Sequence, residues 1–184
     1  NGAGVLGVDF TLRYDPALLT VTDVNMSPAL QAAGWGLAVN LLTPGRAVVT
    51  VAGTASASSA PLDLVIVEAS VPADATYGAM QVLRLENLRV NEGRLAAVAD
   101  ETLHKVVFPG DTSRDANYLG LDPPLLARAV VALDSGFAAY PVTDPRIIAD
   151  VTGDGTLSAL DTAWVARKTV GLPQPEIPDL PADL

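Results

Sequence analysis

The chain has no cysteine, a single histidine (His104) and few aromatic residues, which make up 5% of its 184 residues. Without cysteine it can form neither disulfides nor thiolate metal sites. No apolar run approaches the roughly 20 residues that a membrane-spanning helix needs. Basic residues are also scarce, because 11 Lys and Arg stand against 21 Asp and Glu, for a net charge of −10. This charge argues against binding to nucleic acid and against insertion at anionic membranes, since both favour clustered basic residues.

Motifs of catalysis are missing as well. The sequence has no glycine-rich phosphate loop and no nucleophile motif. Five acids of the first part could be considered as a catalytic pair for glycoside hydrolysis, but they occupy expected turns and solvent-facing strand positions: Asp9, Asp15, Asp23, Asp63 and Glu68. His104, beside Lys105 in a strand-like stretch, is expected to be a surface or packing residue. We therefore predict that the chain is not an enzyme.

Residues 1–105 have the pattern of β-strands. In VLGVDFTLRYDP, Val8, Phe10 and Leu12 alternate with polar residues, which is typical of a half-buried strand. Further β-rich segments follow, separated by Gly, Pro, Ser or Asn: LLTVTDV, RAVVTVAGT, LDLVIVEASV, MQVLRLENLRV and LHKVVF. Short strands at this spacing predict an antiparallel β-sandwich. Trp35, between two glycines, is compatible either with packing or with stacking on a sugar.

Residues 106–175 change to a helical period. PPLLARAVVALDSG and LDTAWVARKTVG carry apolar residues at helical spacing, and Trp164 is expected to pack inside this part. Gly136 and Gly171 are predicted to follow the helix ends, and Pro123 and Pro124 suit a first helical turn. Residues 176–184 form an acidic, proline-rich tail.

This second part contains an internal repeat. A shift of 39 residues (150 minus 111) lays DTSRDANYLGLDPPLLARAVVAL on DVTGDGTLSALDTAWVARKTVGL, so that the acids and the helix match in register. We name residues 111–122 the first loop and residues 150–161 the second loop.

Each loop has oxygen-bearing residues where a twelve-residue calcium loop places its ligands, at positions 1, 3, 5, 7, 9 and 12. In the second loop these are Asp150, Thr152, Asp154, Thr156, Ser158 and Asp161. In the first loop they are Asp111, Ser113, Asp115, Asn117 and Asp122, with Leu119 at position 9. The pattern predicts two calcium ions.

The two loops differ at position 6. The second loop has Gly155 there, whereas the first has Ala116 and also lacks a side-chain oxygen at position 9. We therefore expect the first loop to bind calcium more weakly or through a water. The alternative is that both loops are polar surface turns with helix caps. Three carboxylates in one short loop repel one another unless a cation lies among them, which favours calcium.

A loop followed by a helix, twice, with Asp at position 12 and no helix ahead of the loop, resembles a dockerin module, a relative of EF-hand-like loops. The resemblance implies a small all-α unit that binds calcium and contacts a cohesin domain. By similarity, the residues facing a partner include Leu121, Arg128, Leu160, Arg167 and Lys168. Ser113 and Thr152 stand where that family usually has Asn.

The first part resembles a cohesin, a non-catalytic extracellular β-sandwich of the jelly-roll type. GVLGVDFTLRYDPALLTVTDV is similar to that family's strand, Tyr-Asp-Pro turn and strand, and VPADATYGAMQVLRLENLRVNEG to its late strands. Two strands normally precede VDFTL, and their absence predicts an unpaired edge beside residues 5–14, completed by a donated strand.

Together these features predict a secreted or cell-surface, non-catalytic calcium-binding protein that works by assembly, as a scaffold or filament subunit. Its partner would be a cohesin-like domain in the same chain, in another copy or in another protein. The sequence leaves two alternatives open: an accessory fragment of a polysaccharide-degrading enzyme, and a carbohydrate-binding module.

Overall fold

A computed structural model describes residues 4–57 and 61–180. The chain divides into two compact units, Asn1–Val106 and Val107–Leu184, which we name the sandwich unit and the loop unit. The N-terminal residues 1–3 and the last four residues of the predicted acidic tail lie outside the described residues.

The sandwich unit contains seven strands within its described residues. They are β1 (Gly7–Arg13), β2 (Thr20–Met26), β3 (Gly36–Thr43), β4 (Arg46–Ala52), β5 (Val65–Ser70), β6 (Met80–Val90) and β7 (Thr102–Lys105). Five of them form a sheet in the order β3-β4-β1-β6-β7, and β2 pairs with β5 in a second sheet. Every pairing is antiparallel, so the predicted antiparallel sandwich is confirmed.

The alternation of β1 decides where the core lies. Val8 and Phe10 are buried, and they stand opposite Val51 and Val49 of β4 in the register of the sheet. Directly opposed residues point to the same face, so these four side chains form one apolar layer. Val21 and Val24 of β2 belong to the same buried cluster.

The predicted open edge beside residues 5–14 is wrong. β1 is an interior strand, because β4 pairs along one side of it and β6 along the other. Sequence order does not reveal this, since β6 lies more than 60 residues downstream. The short helix α1 (Pro28–Ala32) and strand β3 were not predicted either, although Ser27 caps the helix through the Leu30 N–H.

Trp35 is a packing residue. Its side chain is 5% exposed and belongs to the sandwich core. A Cβ at Gly53 would come within 2.5 Å of the indole, so the ring lies directly on that glycine. A ring enclosed in this way cannot stack on a sugar. His104 is half-buried and pairs through Nδ1 with Gln81 Nε2 at 3.1 Å, and burial lowers its pKa.

The loop unit contains three helices within its described residues: α2 (Asp122–Val130), α3 (Pro145–Ala149) and α4 (Ala159–Thr169). Helix α2 ends at Val130, so the predicted end at Gly136 is wrong. Ala132 adopts a left-handed conformation (φ 55°), and the N–H of Leu133 returns to the Arg128 carbonyl at 2.9 Å. This arrangement closes the helix without glycine. Gly171 (φ 73°) follows α4 as predicted.

Helix α3 precedes the second loop, which corrects the expectation of no helix ahead of a loop. Asp144 caps it by accepting a hydrogen bond from the Arg146 N–H, and Pro145 occupies the first turn. This Asp-Pro pair is a helix-start signal in the sequence.

The segment after α4 joins the core of the loop unit. Ile177 is 1% exposed and packs in one cluster with Leu126 of α2 and Val165 of α4. Lys168 donates to the Ile177 carbonyl at 2.9 Å and to Asp179 at 2.6 Å. Across the described residues, no helix has the length and apolar character needed to cross a membrane.

Candidate functional site: two acidic loops

Both loops are organised around the aspartate at position 1. Asp111 Oδ1 accepts from the N–H groups of Arg114 (2.7 Å) and Asp115 (3.3 Å), and its Oδ2 accepts from Ala116 (2.9 Å). In the second loop, Asp150 accepts from the three equivalent N–H groups, those of residues 153, 154 and 155, at 2.9, 3.2 and 2.7 Å. The turn therefore wraps around this carboxylate in the same way in both copies.

The aspartate at position 12 closes each loop from the other end. Asp122 accepts from the N–H groups of Ser113 (2.9 Å) and Leu119 (2.8 Å). Asp161 accepts from Thr152 (3.0 Å) and Ser158 (2.8 Å), the equivalent residues. The position 12 aspartate lies in the first turn of the following helix, so each loop and its helix form one hydrogen-bonded unit.

Hydroxyl side chains at positions 3 and 9 donate to the carboxylates at positions 1 and 12, whereas the aspartate at position 5 accepts from the N–H at position 7. Ser113 Oγ donates to Asp111 at 3.2 Å, and Thr152 Oγ1 donates to Asp150 at 3.1 Å. At position 5, Asp115 accepts from the Asn117 N–H at 2.9 Å. The second loop repeats this bond, from Thr156 to Asp154 at 2.8 Å, and Ser158 Oγ donates to Asp161 at 2.9 Å.

The loops also share two left-handed backbone positions. Position 4 has φ 61° at Arg114 and 72° at Gly153, while position 6 has φ 60° at Ala116 and 86° at Gly155. Non-glycine residues adopt this region at a cost in free energy. The first loop therefore keeps the glycine-type turn with two residues that disfavour it.

The three acids of the first loop converge. Carboxylate oxygens of Asp111, Asp115 and Asp122 all lie within 4.8 Å of one another, and no other group of three or more metal-ligating side chains in the described residues does so. Asp111 and Asp122 are fully buried. Burial raises the pKa of Asp122, and the neighbouring Asp111 adds to the rise against the hydrogen bonds from Leu119 and Ser113.

The second loop is more open at its centre. Asp154 is exposed, as Asp115 is, but Asp150 is only half-buried where Asp111 is buried, and the three carboxylates of this loop do not converge to the same extent. Burial acts to raise the pKa of Asp161, but hydrogen bonds from Thr152 and Ser158 outweigh it and the pKa is lowered. This carboxylate is therefore held in its charged form.

Calcium fits the oxygen donors that the loops present. Two oxygens on opposite sides of a calcium ion, each at about 2.3–2.6 Å, are about 4.6–5.2 Å apart. The carboxylates of the first loop lie within that limit. All predicted ligands are oxygens, and a divalent cation would offset the repulsion between the carboxylates.

The predicted partner-facing residues fall into two groups. Leu121 is 56% exposed and Leu160, its equivalent in the repeat, is 51% exposed. The three basic residues instead make contacts within the loop unit. Arg128 pairs with Asp134 at 2.6 Å, Arg167 Nε donates to Gln174 at 3.1 Å, and Lys168 bonds the C-terminal segment.

Two contributors to the first loop were not predicted. Tyr140, from the segment between the loops, is 2% exposed and donates its hydroxyl hydrogen to the Asp111 carbonyl at 2.9 Å. Thr112 Oγ1 donates to the Asp122 carbonyl at 3.0 Å. Thr112 lies at a position without a ligand role, and Tyr140 is separated from the loop in sequence, so the loop pattern alone could not identify either residue.

Comparison with known proteins identifies the sandwich unit. A family model for the cohesin domain matches residues 1–107, more than half of the chain. No curated protein matches. Similar solved structures include a cohesin module of a family 33 glycoside hydrolase from Clostridium perfringens, 14% identical with a TM-score of 0.44, where the match covers 57% of this chain and 74% of that one. The CaDoc0917–CaCohA2 complex matches at 16% identity and a TM-score of 0.44, covering 57% of this chain and 81% of that one.

The first unit is thus an antiparallel β-sandwich of a class that mediates assembly. The chain belongs to the cohesin family. Cohesin domains are non-catalytic modules that make protein–protein contacts with dockerins.

Proposed function

We propose that this protein is an extracellular calcium-binding assembly protein with two binding modules. The cohesin domain binds a dockerin, and the loop unit holds two calcium ions and acts as a dockerin-like module. The observation that carries the proposal is the repeated hydrogen-bond pattern, in which the aspartates at positions 1 and 12 organise equivalent N–H groups in both loops.

In this proposal the ions are held by the residues that the loop pattern indicates. Those of the first loop are Asp111, Ser113, Asp115, Asn117 and Asp122, and those of the second are Asp150, Thr152, Asp154, Thr156, Ser158 and Asp161. Residues at position 7 contribute their backbone carbonyls. The ions offset the repulsion among the carboxylates, so the loops and the helices that follow become more stable when calcium binds.

The partner of the loop unit is a cohesin-like domain. Leu121 and Leu160 support this step, because equivalent residues of a repeat are both more than half exposed, and exposed apolar side chains beside polar loops suit a protein contact. Cohesin domains typically occur in secreted or cell-surface proteins, which supports a scaffold or filament role outside the cell.

Strand addition is a second mode of contact that the fold supports. Among the described residues, β5 pairs with β2 along one side only, and Ile66 and Val67 of β5 are 49% and 38% exposed. A sheet edge with exposed β-branched residues can accept a strand from another chain. A donated strand would extend the two-stranded sheet.

Calcium calorimetry tests the metal sites. We expect two ions to bind the full chain, and Asp111→Ala and Asp150→Ala each to remove one of them. Asp100→Asn, an exposed acid of the sandwich unit, is the matched control and should leave both. Binding of no ion by the wild-type chain would contradict the calcium proposal.

Sedimentation velocity with calcium and with EDTA tests the assembly. Calcium-dependent oligomers of the chain alone would identify another copy as the partner, and complexes formed only with added cohesin domains would identify another protein. If calcium makes the chain more compact without changing its mass, the partner is the cohesin domain of the same chain. Absence of all three responses would exclude a dockerin-like role for the loop unit.

A further inference from the structure

The segment between α2 and α3 reaches the first loop through Tyr140. This side chain is 2% exposed and lies in the core of the loop unit with Phe137 and Ile148. Its hydroxyl donates to the Asp111 carbonyl at 2.9 Å. Arg114, in the loop itself, places its guanidinium 5.9 Å from the centre of the Tyr140 ring and donates to the Ala139 carbonyl at 3.5 Å.

The hydroxyl acts on the residue around which the loop is built. Asp111 is the first ligand position and also accepts the N–H groups of residues 114, 115 and 116. A rotation of the Asp111 peptide would move its carboxylate and loosen the turn around it. The bond from Tyr140 opposes that rotation, because the rotation would break a hydrogen bond formed inside the core.

The second loop has no counterpart of this bond. Among the described residues, no side chain donates to the Asp150 carbonyl, and the residue 39 positions after Tyr140 is Asp179, which pairs with Lys168. The backbone N–H groups that donate to the carboxylates at positions 1 and 12 are equivalent in the two loops, whereas the hydroxyl donors at position 12 differ. The two loops can therefore be compared within one chain, because only the first has a tyrosine hydroxyl bonded to its position 1 carbonyl.

We propose that Tyr140 is a positioning residue for calcium binding by the first loop. This role of Tyr140, a residue outside both loops, rests on the calcium proposal above. Tyr140 holds Asp111 in its liganding arrangement before the ion arrives, so the loop loses less conformational freedom on binding. It offsets part of the loss of calcium affinity that we expect from Ala116 at position 6 and from Leu119, which has no side-chain oxygen at position 9.

A calcium titration of the full chain followed by NMR tests this role. The Ala116 and Gly155 amides report on the two loops separately, because each donates to the position 1 carboxylate of its own loop. We expect Tyr140→Phe to weaken calcium binding at Ala116 by about threefold to tenfold, the effect of one buried hydrogen bond. Binding read at Gly155 should stay unchanged, which also shows that the variant is folded.

Tyr118→Phe is the matched control, because this tyrosine lies in the first loop at a position without a ligand role, and its buried hydroxyl has no hydrogen-bond partner. We expect it to leave calcium binding at Ala116 within twofold of wild type. A purely structural role for Tyr140 would weaken both loops together or neither, and either result overturns the proposal.

Hydrogen exchange without calcium provides a second test that needs no variant. Preorganisation by Tyr140 predicts slower exchange at the Ala116 amide than at the Gly155 amide. Equal or faster exchange at Ala116 would overturn the proposal. If the wild-type chain shows no calcium response at either amide, the calcium proposal itself fails, whereas a calcium-binding Tyr140→Phe chain with unchanged affinity refutes only the role of Tyr140.

Discussion

At the scale of single residues, the two loops adopt the same backbone conformation with different side chains. Ala116 and Gly155 occupy the same left-handed position, with φ 60° and 86°, and each donates its N–H to the position 1 aspartate. A Cβ at Gly155 would meet no atom within 4 Å, so any cost of a side chain there comes from the backbone conformation alone. The pair isolates that cost.

Exchanging these residues should therefore change stability in opposite directions. Ala116→Gly should raise the free energy of unfolding of the loop unit by up to about 1 kcal/mol, because glycine removes the left-handed strain but loses more chain entropy. Gly155→Ala should lower it by about 1–2 kcal/mol. Chemical denaturation followed by circular dichroism measures both, with Ala116→Ser as a control that keeps the strain. A loss of stability in Ala116→Gly would contradict this account.

At the scale of the elements, α2 and α4 begin differently although their loops match. Ser158 caps α4 in a capping box with Asp161, whereas α2 begins without a side-chain cap and with Pro123 and Pro124 in its first turn. Proline holds φ at a helical value, and its missing N–H costs nothing in a first turn. The start of α2 is therefore fixed by the backbone preference of its prolines, whereas the start of α4 is fixed by capping hydrogen bonds. Both solutions place the position 12 aspartate in the first turn.

The C-terminal segment is a packing element of the loop unit, and Ile177 is its anchor. Ile177→Ala should lower the free energy of unfolding by about 2–5 kcal/mol, because the side chain is buried in one cluster with residues of α2 and α4. Leu172→Ala removes a similar side chain that is 46% exposed and should cost far less. Thermal unfolding of the two variants distinguishes them, and equal midpoints would show that the segment does not hold the unit together.

At the scale of the whole molecule, each unit has its own buried cluster and one of the two tryptophans. Trp35 lies in the sandwich core, and Trp164 packs against the core of the loop unit. Fluorescence from Trp164 therefore reports on the unit that contains the acidic loops.

Calcium should raise the unfolding midpoint that Trp164 reports. In a Trp35→Phe chain, calcium at a thousandfold excess over its dissociation constant should add about 4 kcal/mol per site to the free energy of unfolding, since the ion binds only the folded loops. Denaturation in calcium and in EDTA measures the difference, and magnesium serves as a control cation. The same midpoint in calcium and in EDTA would contradict metal binding by this unit.

Local patterns determined much of this protein. The alternation in VDFTLR predicted β1, the period of LDTAWVARKTVG predicted α4, and the 39-residue repeat predicted two equivalent loops. Such signals act over a few residues, since the period of a strand or helix and the spacing of loop oxygens are set by backbone geometry. The spacing of acids and hydroxyls along each loop likewise predicts which residues are ligands, and that assignment stays a prediction.

Tertiary structure decided what depends on residues distant in sequence. Only packing brings β6 beside β1, encloses Trp35 against Gly53, places Ile177 in the core of the loop unit and brings the Tyr140 hydroxyl to Asp111. These contacts join separate segments of the chain, and no periodicity records them. Their free energy comes from buried apolar surface and from hydrogen bonds closed within it, which exist only once the chain has folded.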